Sequence, residues 1–190
     1  MKIDHLVCSI CGKRYAPDEV AYVCPADGGN LTVKLDFNAF DQVAFNSGLE
    51  RDKEGSIWRY LPLLPVEDPG LRNTPLRQVG FTPLYQPKKL AEALNLRTLW
   101  IKDESRNPSA SFKDRASALV TARAIQSGVK TLVAASTGNA GAAAACMAAA
   151  AGLPAVIIAP KTAPPAKVAQ LLSYGAKVFL VEGNYDQAFE

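Results

Sequence analysis

No run of this chain reaches the roughly 18 apolar residues that a membrane-spanning helix needs. Its longest small-apolar stretch, Ala140 to Ala151, is mostly alanine and follows a turn signal. The start, Met1-Lys2-Ile3-Asp4-His5, places an acid and a histidine where a secretory signal needs an apolar centre. Charge of one sign is scarce as well. The net charge is +3 with both signs interspersed, too weak a bias to imply a nucleic-acid partner. Neither a Gly-x-Gly-x-x-Gly turn nor a Walker loop is present, so nucleotide binding has no support. Cysteine is sparse: three of the four cluster near the N-terminus and Cys146 stands alone in the alanine run, which excludes a disulfide framework. These absences together read as a cytoplasmic protein with neither a membrane nor a nucleic-acid partner.

What is present is ordinary for a globular chain, with 48% apolar and 21% charged residues. A length of 190 residues fits one domain with a small appendage. The appendage is the N-terminal segment, about residues 1–35. It carries Cys8-x2-Cys11-Gly12, then Cys24-Pro25-Ala26-Asp27-Gly28-Gly29. Two Cys-x2-Cys knuckles at that separation would make a zinc ribbon, but Asp27 stands where the fourth cysteine belongs. Asp27 or His5 could complete a ligand set of Cys8, Cys11 and Cys24. The other reading is a degenerate ribbon that keeps its short hairpins without metal. If zinc binds, it staples a segment too small for a core of its own.

Residues 36–79, with Leu61-Pro62-Leu63-Leu64-Pro65 and Asp68-Pro69-Gly70, read as an irregular extension wrapping a larger body. From residue 80 the pattern changes. Lys88 to Asn95 predicts a short helix, and Thr98 to Lys102 a strand. Helical spacing then covers Lys113 to Ser127, Asn139 to Ala151 and Pro164 to Tyr174, with Gly128, Gly152 and Gly175 as stops. Short apolar strands alternate with these helices at Thr131–Ala135, Ala155–Ala159 and Lys177–Val181. The alternation predicts an α/β fold with an open parallel sheet covered by helices. Asn184 to Glu190 begins another helix that stops without a C-cap or closing strand, which reads as the N-terminal portion of a longer, truncated protein.

Two motifs carry the chemistry. The first is Asn107-Pro108-Ser109-Ala110-Ser111-Phe112-Lys113-Asp114-Arg115. An aldehyde cofactor needs a primary amine to condense with. Lys113 supplies one at a helix start, with Arg115 as a positive neighbour and the Ser109 and Ser111 hydroxyls free to cap the helix or meet a ligand. Alone, the motif would equally describe a surface lysine in a capped helix start. The second motif, Ser136-Thr137-Gly138-Asn139-Ala140-Gly141, follows a strand and opens a helix, the usual place for an anion in an open α/β fold. Its hydroxyls and backbone N–H groups suit a carboxylate, and the Asn139 amide can donate to a ring oxygen. Cys146 is expected to pack rather than react, and Lys161 and Lys167 to be solvated charges, with attraction of an anionic substrate as the other reading.

The two motifs together resemble the threonine synthases of the fold-type II pyridoxal-phosphate enzymes. Gly80-Phe81-Thr82-Pro83-Leu84 and Trp100-Ile101-Lys102-Asp103-Glu104-Ser105 are similar to segments preceding the lysine in that family. The match runs from about Gly80 to Glu190. The resemblance implies a tryptophan-synthase-β-like fold, with 80–127 belonging to a large cofactor domain and 128–190 to a smaller α/β domain. It implies a lyase using pyridoxal phosphate on an amino-acid substrate, turning O-phospho-L-homoserine and water into L-threonine and phosphate, in a homodimer. Lys113 would be the Schiff-base lysine and proton shuttle. Asn139 would bond the ring hydroxyl oxygen, Phe112 would pack near the ring, and Ser136, Thr137, Gly138 and Thr82 would meet the substrate. Ala110 departs from the family's glycine, a change expected to cost little. The family's cofactor-phosphate loop and pyridine-nitrogen partner would lie beyond residue 190, so these residues alone should hold the cofactor poorly. Two alternatives are another fold-type II enzyme doing β-replacement, such as a cysteate or cysteine synthase, and a non-catalytic zinc-ribbon binding protein.

Overall fold

Side chains along Ile3–Cys8 alternate between a buried and a wetter face, and this strand, β1, organises the N-terminal part of the chain. In the computed structural model, which describes residues 3–20, 22–38 and 40–189, β1 lies between β2 (Arg14–Tyr15) and β3 (Leu31–Leu35) in an antiparallel sheet. Leu6 faces Tyr15 on one side and Val33 on the other. Leu6, Cys8, Tyr15 and Cys24 form the buried core, with Ile3, Val20 and Leu31 packed against it. So few apolar groups are less than a domain of this size needs to hold itself together. Helix α1 (Gln42–Arg51) starts at Asp41, whose carboxylate accepts the Ala44 N–H at 2.9 Å, and it buries no residue. These elements belong to one compact unit, Met1–Lys53 with Arg59–Glu67.

The second unit comprises Glu54–Trp58 and Asp68–Glu190, so 80–127 and 128–190 fall in the same unit and residues 36–79 contribute to both. It opens with a two-stranded antiparallel ribbon of β4 (Leu84–Tyr85) and β5 (Ile101–Lys102), with α2 (Lys88–Ala93) between them. The strand predicted over Thr98–Lys102 is confined to its last two residues, because β4 offers only two partners. Helix α3 (Lys113–Gln126) follows. Then come β6 (Leu132–Ala135), α4 (Asn139–Ala150), β7 (Ala155–Pro160), α5 (Pro165–Ser173), β8 (Lys177–Val181) and α6 (Tyr185–Phe189). Glu190, the last residue of the predicted final helix, lies outside the described residues.

The three later strands form a parallel sheet in the order β6-β7-β8, as the alternation predicts. The central β7 is the most buried of the three. Its Ala155 and Ile157 join Ala142, Ala145, Ala148, Leu171 and Ala176 in one core. Helix α4 is apolar on every side, and its small side chains let it sit against several neighbours at once. Gly152 (φ 68°) and Gly175 (φ 78°) turn the chain out of α4 and α5 in the left-handed region, where a side chain would be strained. Among the described residues no helix is long and apolar enough to cross a membrane.

Candidate active site

Asp114 shapes the lysine turn. Its side chain is fully buried in the first turn of α3 and accepts the Ser109 N–H at 2.7 Å and the Ser109 hydroxyl at 2.5 Å. Burial pushes its carboxyl above the ordinary range, and the two Ser109 bonds pull the other way. The loop therefore doubles back on the helix start. Ser111 completes it by accepting the Lys113 N–H on its hydroxyl at 3.2 Å. Between the serines, Ala110 adopts φ 60°. That corrects the expectation of a cheap departure from glycine, because the left-handed region costs a residue with a Cβ about 1–2 kcal/mol. Asp114, Ser109 and Ser111 are buried, while Ala110, Phe112 and Lys113 are left outside. The Lys113 ammonium sits 4.8 Å from the centre of the Phe112 ring.

Arg115 is not a loose positive charge beside Lys113. Its Nε donates to Glu104 Oε2 and its Nη2 to Glu104 Oε1, both at 2.8 Å. This pair, helped by the Thr82 and Asn107 bonds, lowers the Glu104 carboxyl to about 2. Thr82 Oγ1 donates to Glu104 Oε1 at 2.9 Å, and its carbonyl accepts Lys102 Nζ at 2.8 Å. Asn107 accepts the Gly80 N–H at 2.8 Å and donates to the Glu104 backbone and carboxylate. Gly80 has φ 88°, and a Cβ there would lie 2.4 Å from Ile57 Cγ2. Thr82 is thus placed in a network that ties the 80–82 turn to the lysine loop.

The second motif sits at the carboxyl end of β6. The Ser136 N–H extends the sheet ladder by donating to the Ile158 carbonyl at 3.0 Å. The Ser136 hydroxyl oxygen accepts the N–H groups of Gly141 (2.9 Å) and Gly138 (3.3 Å), which leaves its own proton to donate. Gly138, at the helix cap, meets nothing within 4 Å of a built Cβ, so the space over the turn is open, while Gly141 lies close against Ser136. Thr137, between Ser136 and Gly138 in the chain, is half-buried. Asn139 is exposed, and its Oδ1 accepts Lys167 Nζ at 2.7 Å. An ammonium only donates, so the amide oxygen must face Lys167 and the Nδ2 hydrogens point elsewhere. They have no partner among the described residues.

Lys167 is a residue that sequence reasoning ranked as a solvated charge ahead of one that attracts an anionic substrate. It lies in the first turn of α5, and α5 packs against α4. The available signal was topological: α4 and α5 both start at carboxyl ends of parallel strands, where ligands of open α/β sheets gather. Lys161 does behave as a surface charge, pairing with Glu182. Cys146 is buried in α4, and burial raises its thiol to about 11, in keeping with a packing role. Helix α3, which carries Lys113, packs against α4, which carries Asn139. In the other unit, Cys8, Cys11, Cys24 and Asp27 bring their ligand atoms within 4.8 Å of one another. His5 is not among them. It contacts Asp4 at 2.7 Å.

Residues 76–190 match a protein family described as pyridoxal-phosphate dependent enzymes. The chain is 40% identical over 186 residues to the threonine synthase of Methanosarcina acetivorans, covering 97% of this chain and 44% of that protein. It is 38% identical over 184 residues to the threonine synthase of Methanocaldococcus jannaschii, covering 96% of this chain and again 44% of the relative. The chain therefore spans less than half the length of these two relatives. Among solved structures, a cysteine synthase from Entamoeba histolytica superposes with a TM-score of 0.57 at 26% identity, over 60% of this chain and 37% of that one.

Proposed function

Since this chain belongs to the pyridoxal-phosphate dependent enzyme family, we propose that it is the lysine-bearing part of a threonine synthase, acting on O-phospho-L-homoserine and water to give L-threonine and phosphate. The observation that carries the reading is the Asn139 amide. Lys167 holds its oxygen, which leaves its two hydrogens free to donate, at a helix start where the space about Gly138 is open. That donor on α4, with the exposed amine of Lys113 and the exposed Phe112 ring on the neighbouring α3 side, suits an aldehyde on an aromatic ring that bears a hydroxyl oxygen.

Pyridoxal phosphate, when bound, supplies an electron sink for carbanion chemistry next to the amino group. Lys113 Nζ would be the attachment point and the group that carries protons to and from the substrate carbons. Its place at a rigid helix start, over the Phe112 ring, limits where that nitrogen can swing. Asn139 Nδ2 would donate to the ring hydroxyl oxygen and help to hold the ring. The Ser136 hydroxyl proton and the Thr137 end of the turn would take the substrate carboxylate, with the Gly138 N–H joining them by leaving its 3.3 Å bond to Ser136. Lys167 brings a cation to the same turn, suited to a substrate that carries a second anionic group. The 40% identity to a threonine synthase over nearly the whole chain supports this substrate over those of β-replacement enzymes.

The test is made on the longest protein that carries these residues. Pyridoxal phosphate is added, visible absorbance recorded, and the label fixed with borohydride and mapped. We expect the label on Lys113, and phosphate release from O-phospho-L-homoserine that Lys113→Ala abolishes. Equal labelling and absorbance in Lys113→Ala would sink the enzyme reading. Turnover of O-acetyl-L-serine with sulfide in place of O-phospho-L-homoserine would move the protein to the β-replacement class.

A further inference from the structure

The two halves of the N-terminal segment repeat one backbone. In the first, the Cys8 N–H donates to the Lys13 carbonyl at 2.9 Å and the Gly12 N–H returns to the Cys8 carbonyl at 3.1 Å. In the second, the Cys24 N–H donates to the Gly29 carbonyl at 2.9 Å and the Gly28 N–H returns to the Cys24 carbonyl at 2.8 Å. Gly12 and Gly28 share φ 72°. Both of these backbone bonds of one knuckle thus have their counterpart sixteen residues later. By this correspondence Asp27 occupies the position of Cys11. The departure that looked like a lost ligand in the sequence falls where a ligand atom belongs.

From this geometry we propose that Cys8, Cys11, Cys24 and Asp27 bind one zinc ion in a closed, structural site. Sγ of Cys11 and Sγ of Cys24 are 3.8 Å apart. The edge of a tetrahedron with zinc–sulfur bonds of about 2.3 Å is about 3.8 Å. Cys8 Sγ lies 3.2 and 3.5 Å from the two Asp27 oxygens, the shorter spacing that a carboxylate's shorter bond requires. Asp27 Oδ1 is already taken by the Gly29 N–H at 2.9 Å, so Oδ2 is the oxygen for the metal. The surroundings suit thiolates. The Ile10 and Cys11 N–H groups donate to Cys8 Sγ at 3.3 and 3.5 Å, and the Tyr15 hydroxyl lies 3.0 Å from Cys24 Sγ. A Cβ at residue 29 would fall 2.6 Å from Cys8 Sγ, so Gly29 keeps the backbone close to the ligand set.

His5 is excluded by strand geometry. Residues three apart on a regular strand point to opposite faces, and the register of β1 against β3 is regular from His5 to Cys8. Three thiolates exclude the hard cations magnesium and calcium, and a tetrahedral sulfur-rich site selects zinc among common divalent ions. On binding, each thiol gives its proton to solvent and each sulfur keeps the electron pair it donates to the metal.

The chain is purified without chelator and its zinc counted, then reconstituted with cobalt(II) as a spectroscopic substitute. We expect one zinc per chain, intense visible bands of tetrahedral cobalt and sulfur-to-cobalt charge transfer. Asp27→Cys should keep one metal and strengthen the charge-transfer band. His5→Ala should keep the metal and spectrum unchanged. Cys11→Ser should lose zinc to a chelator concentration that the parent chain withstands. Because the cobalt spectrum is read on the unmutated chain, a variant that unfolds cannot decide the matter alone. Three readily titrated thiols among residues 8–24 with no bound metal, a weak octahedral cobalt spectrum, or loss of metal in His5→Ala would each overturn the assignment.

Discussion

Ala110 shows how one side chain can carry a cost invisible in the sequence. Its neighbours on either side are serines held by the helix start, so the loop has no freedom to relax its φ of 60°. A methyl group in that region is disfavoured by about 1–2 kcal/mol, while glycine gives back roughly 0.5–1 kcal/mol in unfolded-chain entropy. Ala110→Gly should therefore stabilise the second unit by about 1 kcal/mol, seen as a higher urea midpoint with an unchanged slope. A lower midpoint would mean that the dihedral is not strained. At this scale the sequence identified Lys113, Asn139 and Ser136 as chemically suited residues, because residue type and local spacing suffice for that. It did not reveal that Arg115 is paired with Glu104, since that partner is eleven residues away in a separate turn.

At the scale of elements, Glu104 joins pieces that no periodicity connects. Its carboxylate holds Arg115 on α3, Thr82 on the turn before β4 and Asn107 at the head of the lysine loop. The folded-state carboxyl is depressed from 4.5 to about 2. A depressed carboxyl stabilises the fold fully above its ordinary value, and that contribution is lost as pH falls from about 4.5 to about 2. Asp114 shifts the other way, so its protonation works against this loss. Urea unfolding of the parent chain should show stability falling across that acid window. Glu104→Gln should be less stable at neutral pH and show a flatter acid limb, and an unchanged limb would remove Glu104 from the account. The helices and the parallel strands were legible, since glycine stops and apolar runs mark them. The five-residue strand predicted at Thr98–Lys102 shrank to two because strand length is set by the partner, which the sequence of one strand does not contain.

At the scale of the whole chain, the two units differ in what holds them. The second has a core spread over the parallel sheet, α4 and α5. In the first, the cluster about the three-stranded sheet has four buried residues among those described, Leu6, Cys8 and Tyr15 on the strands and Cys24 beside them, so two of the four are cysteines. A unit that places ligand thiols where others place leucine depends on the metal for its folding free energy, because apolar burial there is too small to offset chain entropy. Chelation should therefore act locally. With zinc removed, amide hydrogens of Ile3–Cys8 and Leu31–Leu35 should lose most of their protection against exchange. Those of Ala155–Pro160, whose strand is bonded on both sides in the parallel sheet, should keep theirs. Hydrogen exchange read by mass spectrometry on the same sample resolves the two sets of peptides. If both sets lost protection together, folding of the α/β unit would itself require the metal-bound segment. If neither did, the small sheet would stand on Leu6, Tyr15 and their neighbours without a staple.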